Sequence, residues 1–206
     1  MENVGTIYVI AAASGTGKTS LVKALAEVLD RIVTSISYTT RPKRSGEHEG
    51  ENYFFIEHSK FEQMIARQEF LEYAKVFGNY YGTSRQWVAE KTKTGSDVIL
   101  EIDWQGAKQI KALMPNSISI FILPPSTQEL QRRLETRNQD AAKVIAQRLA
   151  QAGDEISHCA EFDYIVVNDK FEEALSDLQS IIRCQRLRAN IQGYKWHNLL
   201  AKLTKK

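Results

Sequence analysis

Hydrophobic side chains cluster along the chain in four short runs, at residues 6–11, 97–102, 118–123 and 164–167, each rich in Ile and Val. Runs of this length suit strands, and their near-continuous apolar character predicts strands buried on both faces. Between and after them, apolar positions recur at helical spacing: Leu21, Leu25 and Leu29; Ile110 and Leu113; Ala174, Leu178, Ile181 and Ile182. Strands alternating with amphipathic helices predict an α/β fold, a parallel sheet flanked by helices.

Two stretches break this rhythm. Residues 35–94 combine a polar turn segment, Arg41-Pro42-Lys43-Arg44-Ser45-Gly46, with aromatic strand-like pieces around residues 53–56 and one short helix. That helix is expected to open on a capping box, Ser59-Lys60-Phe61-Glu62, and to bury Phe61, Met64 and Ile65. Residues 126–158 open on a second such box, Ser126-Thr127-Gln128-Glu129, and set Leu130 and Leu134 beside Arg132, Arg133, Arg137 and Arg148. The expected outline is a core of residues 1–34, 95–125 and 159–193, a mixed α+β insertion at 35–94, a helical insertion at 126–158 and a tail at 194–206. In the tail Trp196, Leu199, Leu200 and Leu203 predict an amphipathic helix over about 194–202 that docks on the protein's own core or on a sister subunit, a possible homo-oligomer.

Composition narrows the function classes. With 206 residues, 43% of them hydrophobic, the chain can bury one full core, which excludes two enzymes in tandem. Lys and Arg number 27 against 25 acids, a balance that argues against a surface built to grip nucleic acid. Residues 183–206 hold seven basic residues and no acid, which leaves the rest with 20 against 25, a net of −5. Two cysteines without a Cys-x-x-Cys pair point to neither a disulfide scaffold nor a zinc site. No apolar run approaches the ~20 residues of a membrane span, and the amino terminus lacks the basic and cleavage regions of a secretory signal. The expectation is a cytoplasmic protein with neither nucleic acid nor a membrane as partner.

The chemistry starts after the first strand, at Ala12-Ala13-Ser14-Gly15-Thr16-Gly17-Lys18-Thr19, a near match to the phosphate-binding loop that lacks its first glycine. Gly15 and Gly17 can open the backbone so that N–H groups face an anion at a helix amino terminus. Lys18 can reach terminal phosphates and Thr19 can hold Mg2+, with Ser14, Thr16 and Ser20 completing a cradle for a nucleoside triphosphate. An ordinary glycine-rich turn is the plain alternative, but the flanking strand and amphipathic helix favour nucleotide binding. The strand sequence Val98-Ile99-Leu100-Glu101-Ile102-Asp103, within the second apolar run, delivers Asp103 to the sheet edge where ligands bind, as a Mg2+ holder, a helix N-cap, or both. A phosphate loop alone leaves hydrolase, motor, switch and kinase open.

The segment from Ser35-Ile36-Ser37-Tyr38-Thr39-Thr40-Arg41 through Asn52-Tyr53-Phe54-Phe55 closely resembles the nucleotide-binding signature of guanylate kinases. So do Glu72-Tyr73-Ala74, Gly78-Asn79-Tyr80-Tyr81-Gly82-Thr83 and Glu101-Ile102-Asp103-Trp104-Gln105-Gly106. The resemblance runs from about residue 6 to residue 188. It implies a P-loop core, a GMP-binding subdomain at 35–94 and a lid at 126–158. It also implies Mg2+-assisted phosphoryl transfer from ATP to GMP, and to dGMP, in purine nucleotide metabolism. Arg41, Arg44, Tyr53 and Tyr81 match residues that hold the acceptor phosphate; Glu72 matches the carboxylate that accepts from guanine N1–H and the exocyclic amine. Ser37 and Thr83 match hydroxyls on the other edge, and Glu101, Asp103 and Gln105 belong to the same acceptor side. Adenine offers Glu72 no such pair of donors. Arg133, Arg137 and Arg148 match lid arginines that, with Lys18, Arg41 and Asp103, form the implied catalytic set, and Asn168 matches a position near the adenine of ATP. The chain departs from the family pattern at residues 138–143, where a glycine and several acids are more usual. Two rivals remain at this point: a kinase of a phosphorylated sugar, which has no need of Glu72, Ser37 and Thr83, and a guanylate-kinase-like binding module, which loses the phosphate loop.

Overall fold

The computed structural model describes residues 4–76, 78–137 and 142–204, with side chains left out at 136, 137 and 142–148. Two sheets organise these residues. The larger is entirely parallel and runs β2 (Ile32–Thr34), β7 (Asp97–Glu101), β1 (Ile7–Ala12), β8 (Ile118–Leu123), β9 (Tyr164–Val167) across its width. Every β1 residue from Ile7 to Ala11 is buried, which accounts for the unbroken apolar run. Helices α1 (Lys18–Val28) and α7 (Phe171–Arg186) cover one face, where Leu21, Leu25, Leu178 and Ile182 meet Tyr8, Ile10 and Ile120. Helices α3 (Arg85–Lys93) and α4 (Trp104–Leu113) cover the other, where Val88, Ala107 and Ile110 meet Val9, Val98 and Leu100.

The second sheet belongs to the first insertion and runs β4 (Phe54–Phe55), β3 (Tyr38–Thr39), β6 (Asn79–Ser84), β5 (Phe70–Val76), with β3 and β4 parallel and the other pairs antiparallel. Helix α2 (His58–Ala66) packs Phe61 and Met64 on it against Phe70. The second insertion is the helical pair α5 (Thr127–Arg137) and α6 (Ala142–Ser157), and the chain ends in α8 (Ala189–Lys195) and α9 (His197–Leu203).

Several local expectations need correction. Helix α2 starts at His58 with Glu57 as its cap and no side-chain cap bond, so Ser59 stands inside the helix. At Ser126 one half of the box forms, the Glu129 N–H donating to Ser126 Oγ at 3.1 Å, while the Glu129 carboxylate turns to Arg132 and Arg133. The first insertion holds a second helix, α3, and the core sheet an additional short strand, β2. The tail is two short helices broken at Trp196, and Trp196, Leu199, Leu200 and Leu203 are exposed, not docked on the core. Arg186, counted with the basic tail, is tied into the core: it donates to Asp97 Oδ2 at 2.8 Å and to the Asp30 carbonyl at 2.7 Å. Among the described residues, no helix is long and apolar enough to cross a membrane.

Candidate active site

The phosphate loop leaves β1 at the middle of the parallel sheet, at the carboxyl ends of the strands, where open α/β sheets bind ligands. Gly15 and Gly17 adopt φ of 91° and 92°, conformations that a side chain would strain. A β-carbon on Gly15 would also press on Leu134 and Leu130 of α5, at 2.9 and 3.1 Å. The loop therefore rests on the base of the helical insertion, where Ala13, Leu130, Leu134 and Ala152 form a small core. Gly17 caps α1, so Lys18 and Thr19 begin the helix and Ser14, Thr16 and Ser20 line the same wall. Thr16 folds the loop by donating to the Ala13 carbonyl at 3.0 Å.

This wall faces the second sheet across a cleft of about 950 Å³. On the far side stand Ser37, Arg41, Arg44, Tyr53, Glu72 and Tyr81; Lys18, Thr19, Glu101, Asp103 and Arg133 border the near side. Helix α4 packs on β5, so the core and the first insertion meet where Glu72 and Asp103 are brought together. Glu72 is 3% exposed and accepts a 2.6 Å bond from the Thr83 hydroxyl, itself fully buried. Burial pushes the Glu72 carboxyl up to about 7, with the Asp103 charge adding to the rise and the Thr83 bonds opposing it.

Arg41 is held above the Tyr53 and Phe55 rings, its guanidinium carbon 5.4 and 5.8 Å from their centroids, and is paired with Glu47 at 2.6 Å. Burial works against ionisation of Glu47, but the bonds from Arg41 and from the Arg44 backbone hold its carboxyl below the usual range. Glu47 is a cleft residue that carried no role in the sequence reading, because nothing in its spacing marks it as a partner for Arg41. Glu155 of α6 is a second: burial raises its carboxyl, opposed by the Ser14 N–H and the Lys18 charge.

Asp103 caps α4, its Oδ1 accepting from the Gly106 N–H at 2.9 Å, and it also borders the cleft, so the two roles coexist. Its Oδ2 accepts from Gln105 Nε2 at 3.1 Å, the contact that places Gln105. Thr19 donates to Glu101 Oε2 at 3.2 Å. These oxygens suit Mg2+, a hard ion that keeps waters and shares phosphate oxygens with its nucleotide.

Two residues expected beside the nucleotide also hold the loop. Arg133 spends its guanidinium on Glu129 (2.8 Å) and on the carbonyls of Thr16 (3.3 Å) and Asn168 (3.1 Å), clamping α5 to the loop. Asn168 is 5% exposed and donates to the Thr16 carbonyl at 2.7 Å, so it braces the loop from behind. The side chains of Arg137 and Arg148, and residues 138–141 of the segment 138–143 that departs from the family pattern, lie outside the described residues.

With the geometry in place, likeness to known proteins is informative. The guanylate kinase family model matches residues 4–185. Guanylate kinases of Salmonella typhimurium (strain LT2) and Escherichia coli (strain K12) are each 54% identical to this chain over 201 residues, 97% of either chain. The crystal structure of guanylate kinase from Anaplasma phagocytophilum superposes with a TM-score of 0.77 at 36% identity, covering 91% of this chain and 89% of that one. A family model spanning most of the sequence, relatives of this identity over nearly its full length and the same fold together place the chain in the guanylate kinase family.

Proposed function

We propose that the cleft carries phosphoryl transfer from ATP to GMP, the activity that family membership gives this chain, with the donor on the phosphate loop and the acceptor on the inserted sheet. The sugar-phosphate kinase and the binding module are not favoured. Glu72 reads the guanine edge through N1–H and the exocyclic amine, with Ser37 on the other edge; Thr83, expected beside Ser37, instead gives its hydroxyl to Glu72 and orients that carboxylate. Arg41, Arg44, Tyr53 and Tyr81 hold the acceptor phosphate, two guanidinium forks being well matched to a dianion.

An acceptor phosphate with a second pKa near 6 is already ionised at neutral pH, so an oxygen can attack the γ-phosphorus without a strong base. The work left to the protein is alignment and charge neutralisation. Lys18 neutralises the transferring group from the donor side and Arg41 from the acceptor side. Thr19, with Asp103 and Glu101 behind it, would hold Mg2+, which supplies further neutralisation between the phosphates when bound. Arg133 fixes the loop geometry, and the lid arginines Arg137 and Arg148 add charge on closure. The insertions close on both substrates and keep water from the γ-phosphate. Both cysteines, Cys159 and Cys184, are free, in keeping with a cytoplasmic enzyme.

The observation that carries this reading is the buried Glu72, held by the Thr83 hydroxyl behind it, facing a cleft whose other wall is a phosphate loop. Only an acceptor with paired donors satisfies that carboxylate. A coupled ADP-release assay with GMP, dGMP, AMP and ribose 5-phosphate tests it. Turnover with the two guanine nucleotides alone is expected, and turnover with ribose 5-phosphate instead would overturn it.

A further inference from the structure

Glu47 binds both arginines of the acceptor wall. Its Oε1 accepts from Arg41 Nη2 at 2.6 Å and its Oε2 from the Arg44 backbone N–H at 2.8 Å, while its own N–H donates to the Arg44 carbonyl at 3.2 Å. Arg41 Nη1 is in turn bound to the Pro42 carbonyl at 2.8 Å. The paired side chains are only 11% and 18% exposed. A long guanidinium side chain, normally free among many rotamers, is thus held in one position, and one carboxylate closes the turn that carries Arg44. A negative charge this close to Arg41 subtracts from the attraction for an incoming dianion. Its presence is understandable if fixed geometry outweighs the lost charge, because a preorganised site spends less ordering entropy on binding.

We propose that Glu47 is a positioning residue that pre-sets Arg41 and Arg44 for the phosphate of the acceptor nucleotide. This rests on the acceptor assignment above. The competing arrangement, in which Glu47 merely fills the place of the phosphate and must be expelled, gives an effect of opposite sign.

The test compares wild type, Glu47→Ala and Glu47→Gln for kcat, the KM of GMP, the KM of ATP, competition by guanosine and the thermal midpoint. Guanosine presents the base without the phosphate. For Glu47→Ala the KM of GMP rises at least about tenfold, the loss of a charge-assisted bond, while the KM of ATP and guanosine binding stay within about twofold. Glu47→Gln, which keeps an oxygen acceptor and loses the charge, falls between, and it carries the comparison if the alanine variant does not fold. A KM for GMP that is unchanged or lower overturns the proposal, as does parallel weakening of guanosine and ATP, which marks a general structural defect. Absence of GMP turnover in the wild type would overturn the acceptor assignment itself, and this proposal with it.

Discussion

A β-carbon on Gly106 would stand 2.5 Å from Oε2 of Glu72. The first turn of α4 thus has room for that carboxylate only because residue 106 has no side chain. Glu72 is buried and bonded to Thr83, so it can retreat only by giving up that bond. Gly106→Ala should raise the KM of GMP about five- to a hundredfold, from the ~1–3 kcal/mol typical of overpacking, and leave the KM of ATP within about twofold. Stability should change less, since alanine gains ~1 kcal/mol of helix propensity over glycine. Steady-state kinetics check this, and an unchanged KM for GMP would contradict it.

The raised pKa of Glu72 makes two pH dependences. Guanine N1–H and the exocyclic amine require the carboxylate, so GMP binding should strengthen as pH rises from 6 to 8, through the value of about 7. Stability runs the other way. A folded pKa above the ordinary 4.5 means that the group's contribution is complete below that value and is lost as pH rises through about 7. Glu72→Gln does not titrate, so its stability relative to wild type should climb between pH 5 and pH 8, by ~3 kcal/mol at most from the linkage relation. Denaturant melts across that range provide the check; parallel curves for the two proteins would contradict the assignment.

Lys18 opens α1 at the loop and borders the cleft. Lys18→Ala should lower kcat by at least ~10²-fold, the usual scale for a group that neutralises charge in the transition state. GMP binding by calorimetry should persist, because the acceptor wall lies across the cleft. Near wild-type turnover would remove the phosphate loop from the mechanism.

The basic tail divides into two physical cases. Arg186 pairs with Asp97, which is 6% exposed and also accepts from the Thr6 N–H at 2.8 Å. Arg186→Ala should cost ~2 kcal/mol or more, because it strands a buried carboxylate. Truncation after Gly193 removes α9 and large apolar side chains that are 38–72% exposed, and should change monomer stability by less than ~1 kcal/mol. Chemical denaturation separates the two.

The parallel sheet was legible because its central strands are buried on both faces and so read as continuous Ile and Val. Strand β2, three residues long at the sheet edge, carries too little of that pattern to stand out. Helix α3 buries only Val88 and Thr92 among polar and charged positions, so periodicity does not reveal it. Ser59 resembles a cap by spacing, yet the cap is Glu57, two residues earlier. In the cleft, motif order identified Arg41, Glu72 and Lys18, whereas the bonds that hold them come from residues distant in sequence or ordinary in type. Glu47, Gly106 and Asn168 become interpretable only when the second sheet, α4 and the end of β9 are set beside the loop. Arg133 adds a further case: its sequence position suggests a lid cation, and only its neighbours in space reveal the bonds to the carbonyls of Thr16 and Asn168.

The central claim is that Glu72 selects guanine, and the most direct measurement is the ratio of kcat/KM for GMP to that for AMP in wild type and in Glu72→Gln, with IMP alongside. The account predicts a large ratio in the wild type that collapses in the variant, chiefly through weakened use of GMP. A profile across the three nucleotides that is the same in both proteins would contradict it.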